Sequence, residues 1–225
     1  MTRLIAALLA LAALLQPPAA PGATWSEGVQ YVRLAPPQQT TLPSGKAEVM
    51  EVFSYGCPAC NAFQPVMEKL RRSLPANAQL VYLPAAFNPA EDWPMFQRAF
   101  LAAQALGIAE RTHQAMFDAV WKTGELGITV PETNRLKQPL PSIADAARFY
   151  ARVAGVNPQQ FLAMANSFGI DSKMRAADAQ ILAMHVDATP TLIVNGKYRV
   201  IRDELKSNDE LIELVKYLVA KDSGA

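Results

Sequence analysis

Two cysteines three positions apart are the residues in this sequence best suited to chemistry. Cys57 and Cys60 are its only cysteines in 225 residues. Such a pair can exchange disulfides, because one thiolate attacks and a nearby second thiol resolves the mixed disulfide. If a helix starts at Cys57, its unpaired N–H groups and the positive end of its dipole favour a Cys57 thiolate. The spacing therefore predicts Cys57 as the nucleophile and Cys60 as the resolving thiol.

Two other uses of the pair fit the sequence less well. A structural zinc site requires about four ligands, and the only histidines, His113 and His185, lie far apart with no metal-ligand spacing. A purely structural disulfide across so short a loop would restrict the unfolded chain little. We therefore expect no metal and no cofactor. Burial of both sulfurs away from solvent would argue against an enzyme.

The segments around the pair predict the elements that position it. Strand-forming residues occupy positions 29–34, 49–54 and 80–83. After the pair, apolar residues recur at helical spacing, and Pro58 suits the first helical position, where its missing N–H costs no hydrogen bond. The order is strand, loop, cysteine pair, helix and strand, so we predict a βαβ unit with the pair at the start of its helix.

The rest of the sequence predicts a helical block and then a return to strands. Residues 91–185 show helical periodicity and predict four or five helices, one of them opened by a capping box at Ser142. Asn195-Gly196 lies between two strand-like runs and is the strongest short hairpin signal. A helix over residues 209–220 closes the chain. We predict an α/β fold with helices on both faces of the sheet, made of residues 24–90 and 186–225, with 91–185 as a helical insert.

The first 23 residues predict a secretory signal peptide. Arg3 precedes an unbroken apolar run over residues 4–15, followed by a stretch of small residues. That run is shorter than the roughly 20 residues that span a bilayer, so we expect cleavage, with an uncleaved anchor as the alternative. The net charge of +1 gives no electrostatic case for binding nucleic acid.

Three segments carry a resemblance to a known family. FSYGCPAC (53–60), ATPT (188–191) and VNGKY (194–198) resemble the DsbA family of bacterial periplasmic dithiol oxidases, and the likeness extends over nearly the whole mature chain. The resemblance implies a thioredoxin-like fold with an inserted helical subdomain. It also implies a cis Thr189–Pro190 bond facing the dithiol, with Pro58, Thr189 and Pro190 binding substrate. The alternative is an ordinary trans proline at the start of a strand.

Glu51 and Ala59 are the two neighbours of the pair that bear on its chemistry. DsbA-like proteins often keep an acidic residue where Glu51 lies, so the resemblance makes Glu51 a candidate to relay a proton from Cys60. Equally, Glu51 could be the polar side of a half-exposed strand. The lysine often found on the next strand is absent, and Tyr82 is the nearest polar residue there. Ala59 replaces the histidine of the best-known members, so we expect a lowered Cys57 pKa but a less oxidising disulfide.

The resemblance implies a periplasmic thiol:disulfide oxidoreductase that oxidises reduced exported proteins. It further implies re-oxidation by a DsbB-type membrane protein, and we expect a monomer. A disulfide isomerase is an alternative, but only about 30 residues precede the pair in the mature chain, too few for a dimerisation domain. A reductant would usually lack the long insert. A peptide-binding chaperone is the third alternative, holding unfolded chains on the apolar surface around the dithiol. Apolar residues of the insert could suit that role, although helical spacing is more typical of core residues (Met95, Phe96, Phe100, Met116 and Phe117).

Overall fold

The computed structural model describes residues 25–222, so the predicted signal peptide, residues 1–23, lies outside the described residues. Seven strands and seven α-helices make up the described part, together with one 3₁₀ turn at Pro89–Glu91. In chain order they are β1 (Tyr31–Arg33), β2 (Ala47–Phe53), α1 (Pro58–Ser73), β3 (Ala78–Pro84), α2 (Trp93–Ala105), α3 (Ala109–Trp121), β4 (Thr129–Val130), β5 (Arg135–Leu136), α4 (Ile143–Ala154), α5 (Pro158–Ala165), α6 (Phe168–Ala183), β6 (Thr191–Val194), β7 (Tyr198–Val200) and α7 (Asn208–Asp222).

A five-stranded sheet with the order β1-β7-β6-β2-β3 forms the centre of the fold. Strand β2 runs parallel to β3 and antiparallel to β6, so it has a strand on each side. Val49 faces the core formed with α1 and α7, whereas Met50 and Val52 face the core formed with α6. Helices therefore cover both faces, and every residue of β2 is buried. The predicted α/β fold class is confirmed.

Five α-helices occupy the region between β3 and β6, as the periodicity predicted. The predicted capping box is present at the start of α4, where Ser142 and Asp145 each accept a hydrogen bond from the other's backbone N–H. The sequence analysis missed the β4–β5 hairpin, since two residues per strand are too few to show a period of two. The insert boundaries at residues 91 and 185 stay a prediction.

The five apolar residues that a chaperone would need on its surface are instead core residues. All five are buried in the cluster shared by the helical insert and the cysteine pair. Helical spacing favours a core position for such residues, and on α2 and α3 these side chains pack inward. They therefore provide no surface for holding unfolded chains, and the chaperone alternative loses this support.

The predicted hairpin after α6 is confirmed, with Val194 paired to Tyr198. Asn195 and Gly196 have φ values of 52° and 62°, the left-handed region that these two residue types tolerate best. A Cβ on Gly196 would lie 2.1 Å from the carbonyl oxygen of Gln38, so glycine is required there. Over the described residues, no helix has both the length and the apolar character needed to cross a membrane.

Candidate active site

The turn between β2 and α1 places Cys57 at the N-terminus of the helix. The backbone N–H of Cys57 donates to the Ser54 carbonyl at 3.1 Å, which closes the turn. Cys57 is the N-cap residue and Pro58 is the first helical residue, as the sequence predicted. A Cβ on Gly56 would lie 2.6 Å from Nε1 of Trp93, so the indole packs directly against the backbone before Cys57. Any larger residue would displace the turn or the indole.

The two thiols differ strongly in acidity. Both cysteines are free, and the Cys60 N–H points at the Cys57 sulfur at 3.3 Å. A hydrogen bond with the Cys60 thiol is the main cause that lowers the Cys57 pKa from its ordinary 9.0 to about 6. Hydrogen bonds from the Thr189 side chain and the helix N–H groups lower this pKa further, whereas desolvation opposes the shift. Burial raises the pKa of Cys60 well above its ordinary value. Cys57 is therefore the cysteine of the pair that is better suited to act as the nucleophile.

The Cys57 sulfur is less open than the sequence analysis expected. Cys57 keeps 4% of its surface exposed and Cys60 keeps 0%. The Thr189 carbonyl oxygen lies 3.5 Å from the Cys57 sulfur, and Trp93 belongs to the same core cluster. Pro58 beside the pair is exposed. Only a small part of Cys57 is therefore open to a partner, and Cys60 is closed to direct attack.

The Thr189–Pro190 peptide bond is cis, so the predicted cis geometry is confirmed and the trans alternative is wrong. Pro190 is buried and Thr189 is half-buried. The bond immediately precedes β6, which pairs with β2. The pairing brings Thr189 beside Cys57, although 132 positions separate them in the chain.

Glu51 is buried behind the pair, so its interpretation as the polar side of a half-exposed strand is wrong. Its side chain is 0% exposed, and neither carboxylate oxygen has a hydrogen-bond partner among the described residues. Burial, and next the negative charge of Cys57, raise the pKa of Glu51 from 4.5 to about 8, while the positive charge of Arg202 opposes this rise. Glu51 can therefore carry a proton at neutral pH, as a proton relay would require.

Comparison with known proteins assigns the family. A family profile described as Thioredoxin matches residues 42–216. The thiol:disulfide interchange protein DsbA of Pseudomonas aeruginosa is 34% identical over 222 residues, which is 99% of this chain and 97% of the relative. The DsbA of Azotobacter vinelandii is 30% identical over 88% of this chain and 85% of its own length. This chain belongs to the DsbA family.

Solved structures of DsbA proteins agree with this membership. The oxidoreductase DsbA from Xylella fastidiosa superposes with a TM-score of 0.76 at 30% identity, covering 89% of this chain and 98% of that one. The DsbA of Pseudomonas aeruginosa superposes with a TM-score of 0.72 at 34% identity, covering 89% and 95%. The thioredoxin-like fold with inserted helices, predicted from the resemblance, is therefore confirmed.

The structure adds aromatic neighbours that sequence reasoning missed in this DsbA-family site. The Trp121 indole N–H donates to the Tyr55 carbonyl at 2.8 Å, and the Tyr55 hydroxyl lies 3.0 Å from Nδ1 of His113. Burial lowers the pKa of His113 to about 3, which keeps the imidazole neutral. His113 and Trp121 follow the ordinary helical period of α3, and Tyr55 lies in the turn before Cys57, so the sequence offered no signal that would separate them from other core residues. Within residues 25–222, no group of three or more His, Cys, Asp or Glu could hold a metal ion.

Proposed function

We propose that this DsbA-family protein is a periplasmic thiol:disulfide oxidoreductase that donates its Cys57–Cys60 disulfide to reduced cysteines of exported proteins. The observation that carries the proposal is the asymmetry of the pair. Cys57 is the acidic sulfur at the helix N-terminus with a small exposed surface, and Cys60 lies fully buried behind it. A client can therefore react at one sulfur only, and the other resolves or releases the mixed disulfide.

The oxidation of a client proceeds in two exchanges. A client thiolate attacks the Cys57 sulfur of the disulfide, the Cys57–Cys60 bond breaks, and Cys60 leaves as a thiolate. Protonated Glu51 then supplies a proton to Cys60. A second client thiolate attacks the client's own sulfur in the mixed disulfide, which forms the client disulfide and releases the Cys57 thiolate. Two electrons have moved from the client cysteines to the pair, and the low Cys57 pKa makes this last thiolate a good leaving group.

The surface around Cys57 suits an extended client segment of loosely defined sequence. We assign client binding to Pro58, Thr189 and Pro190, since the Thr189 backbone adjoins the reactive sulfur. An extended segment can pair with exposed backbone by adding a strand, and main-chain hydrogen bonds of this kind tolerate many side chains. Such binding fits an enzyme that acts on many exported proteins.

The low pKa of Cys57 favours oxidation of clients over their reduction. Stabilising the thiolate stabilises the reduced pair, so the disulfide becomes the stronger oxidant. Ala59 offers no imidazolium charge to the sulfur, and the stabilisation of the thiolate rests on the Cys60 thiol, the Thr189 side chain and the helix N–H groups. We therefore expect a disulfide less oxidising than that of the family members with histidine at this position.

Location and redox partner complete the proposal. We assign residues 1–23 to a cleaved signal peptide that exports the chain to the periplasm. A DsbB-type membrane protein would then re-oxidise the pair, and reduced exported proteins would be its clients. We expect the protein to act as a monomer without a cofactor.

Two cysteine variants test the proposed function with a reduced two-cysteine peptide as the client. We expect the wild-type disulfide form to oxidise the peptide and Cys57→Ser to lose this activity. Cys60→Ser should react with an activated peptide disulfide and accumulate a mixed disulfide at Cys57, because the resolving thiol is missing. Oxidation of the peptide by Cys57→Ser would contradict the proposal. A glutathione equilibrium near the thioredoxin potential, about −270 mV, would instead indicate a reductant.

A further inference from the structure

Tyr55 lies in the short turn that joins the central strand to the reactive cysteine. Strand β2 ends at Phe53, and Cys57 is the N-cap residue of α1, so residues 54–56 alone make the connection. Tyr55 is buried, with 1% of its surface exposed. Only Gly56 separates it from Cys57, so a displacement of Tyr55 is transmitted directly to the residue that carries the reactive sulfur.

Two hydrogen bonds from helix α3 of the insert end on this one residue. The Trp121 indole N–H donates to the Tyr55 carbonyl at 2.8 Å, and the Tyr55 hydroxyl lies 3.0 Å from Nδ1 of His113. Eight positions of α3 separate the two partners, which corresponds to about 12 Å along a helix axis. One helix therefore holds both the backbone and the far end of the side chain, which fixes the orientation of Tyr55 as well as its position.

The bond between Tyr55 and His113 does not titrate near neutral pH. Burial raises the pKa of Tyr55 well above its ordinary value, and burial lowers the pKa of His113 to about 3. Both groups are therefore neutral, and a hydroxyl can pair with either tautomer of a neutral imidazole because it both donates and accepts. The His113 ring also packs edge-on against Phe53, with 4.9 Å between the ring centroids. The contact thus persists through the pH range in which Cys57 ionises.

Helix α2 of the insert restrains the next residue of the turn. A Cβ on Gly56 would lie 2.6 Å from Nε1 of Trp93, so the indole is in close contact with the Gly56 backbone. The Trp93 indole N–H donates to the Glu91 carboxylate at 3.0 Å, which holds the ring in this place. Two helices of the insert therefore contact two consecutive residues immediately before Cys57.

The stabilisation of the Cys57 thiolate depends on where this turn holds the sulfur. One partner of the sulfur, the Cys60 N–H at 3.3 Å, belongs to the same helix. The other, Thr189, belongs to the segment before β6, and its carbonyl oxygen lies 3.5 Å from the sulfur. Hydrogen bonds weaken steeply as distance and angle depart from their optimum. A displaced turn would therefore weaken the contact between Cys57 and Thr189 first.

We propose that the helical insert braces the active-site turn through Tyr55, and that His113 and Trp121 are positioning residues that set how strongly the Cys57–Cys60 disulfide oxidises. The brace consists of these three residues and their two hydrogen bonds. With the brace intact, Cys57 stays in contact with Thr189 and the thiolate is stabilised. With the brace broken, the thiolate is less stable, so the disulfide is a weaker oxidant. This inference rests on the proposed function of the pair as an oxidant.

Tyr55→Phe and Trp121→Phe test the brace, because each removes one of its hydrogen bonds and keeps an aromatic ring. The Cys57 titration is followed by absorbance at 240 nm, and the redox equilibrium is measured with glutathione. We expect each variant to raise the Cys57 pKa. The equilibrium should move about three- to tenfold toward the protein disulfide, because the displaced sulfur loses part of a charge-assisted hydrogen bond.

Two substitutions of His113 separate the hydrogen bond from the packing. His113→Leu should behave like Tyr55→Phe, whereas His113→Asn keeps a polar atom near the position of Nδ1 and should restore most of the wild-type equilibrium. Phe161→Leu is the matched control, because Phe161 is buried in the same core cluster but lies on α5. This control should lower the urea midpoint and leave the Cys57 titration and the glutathione equilibrium unchanged.

Two results would overturn the brace. One is a wild-type Cys57 titration and a wild-type glutathione equilibrium in both Tyr55→Phe and Trp121→Phe. The other is an equal shift in Phe161→Leu, which would assign the effect to a general loss of stability in the insert. Neither measurement needs a client protein. A wild-type protein that fails to oxidise the reduced peptide would therefore refute the proposed function, while the titration and the equilibrium still decide the brace.

Discussion

Replacement of Glu51 by glutamine should stabilise the reduced protein at neutral pH. Wild-type Glu51 has its pKa raised from 4.5 to about 8, so the unfolded chain releases its proton more readily than the folded one. The stability that this carboxyl contributes is present below pH 4.5 and is lost as the pH rises towards 8. Glutamine has a similar shape but cannot ionise. The unfolding free energy of Glu51→Gln should therefore not fall in this way as the pH rises.

The size of the effect follows from the pKa values. Each unit of pH between them changes the unfolding free energy by about 1.4 kcal/mol. At pH 7 the variant should be more stable by about 3 kcal/mol, and at pH 5 by less than about 1 kcal/mol. Neither carboxylate oxygen of Glu51 has a partner among the described residues, so the amide sacrifices no hydrogen bond seen there.

Urea unfolding of both reduced proteins at pH 5, 6 and 7 measures this difference. Cys57 titrates in both proteins, so its contribution to the pH dependence largely cancels in the stability difference. The informative quantity is the slope of the stability difference with pH, because a constant offset could come from packing alone. A difference that stays constant over this range would refute the burial of an ionisable Glu51 as the cause.

Three further predictions concern the Cys57 thiolate, the turn before it and the N-terminus of α4. Absorbance at 240 nm should show the Cys57 thiol ionising near pH 6, and ionisation near pH 9 would contradict this prediction. The thiolate should stabilise the folded reduced protein at alkaline pH, and this stabilisation should fade as the pH falls through about 6. Gly56→Ala should cost about 1–3 kcal/mol of unfolding free energy, because the new methyl group meets Trp93; an unchanged urea midpoint would show that the indole moves aside freely. Ser142→Ala should cost about 1 kcal/mol through loss of the capping box with Asp145, and a thermal melt that matches the wild type would exclude this role.

Local chemistry in the sequence was enough to predict most elements around the pair. Alternation and turn residues predicted the strands of the main sheet, helical spacing predicted four or five helices in the insert, where five are present, and Asn195-Gly196 predicted the hairpin. The position of Cys57 at a helix N-terminus followed from Pro58 and the strand before it. These signals act between residues a few positions apart, so the sequence displays them directly.

The state of Glu51 and the neighbours of Cys57 depended on the tertiary structure. The sequence does not show whether an acidic residue in a strand is exposed or buried. Glu51 is buried because strands and helices pack around β2. The family resemblance suggested that Thr189 faces the pair, and the pairing of β6 with β2 places it there. By itself the sequence determined the reactive pair and its helix, whereas long-range packing decided burial, and burial sets the acidity on which the exchange depends.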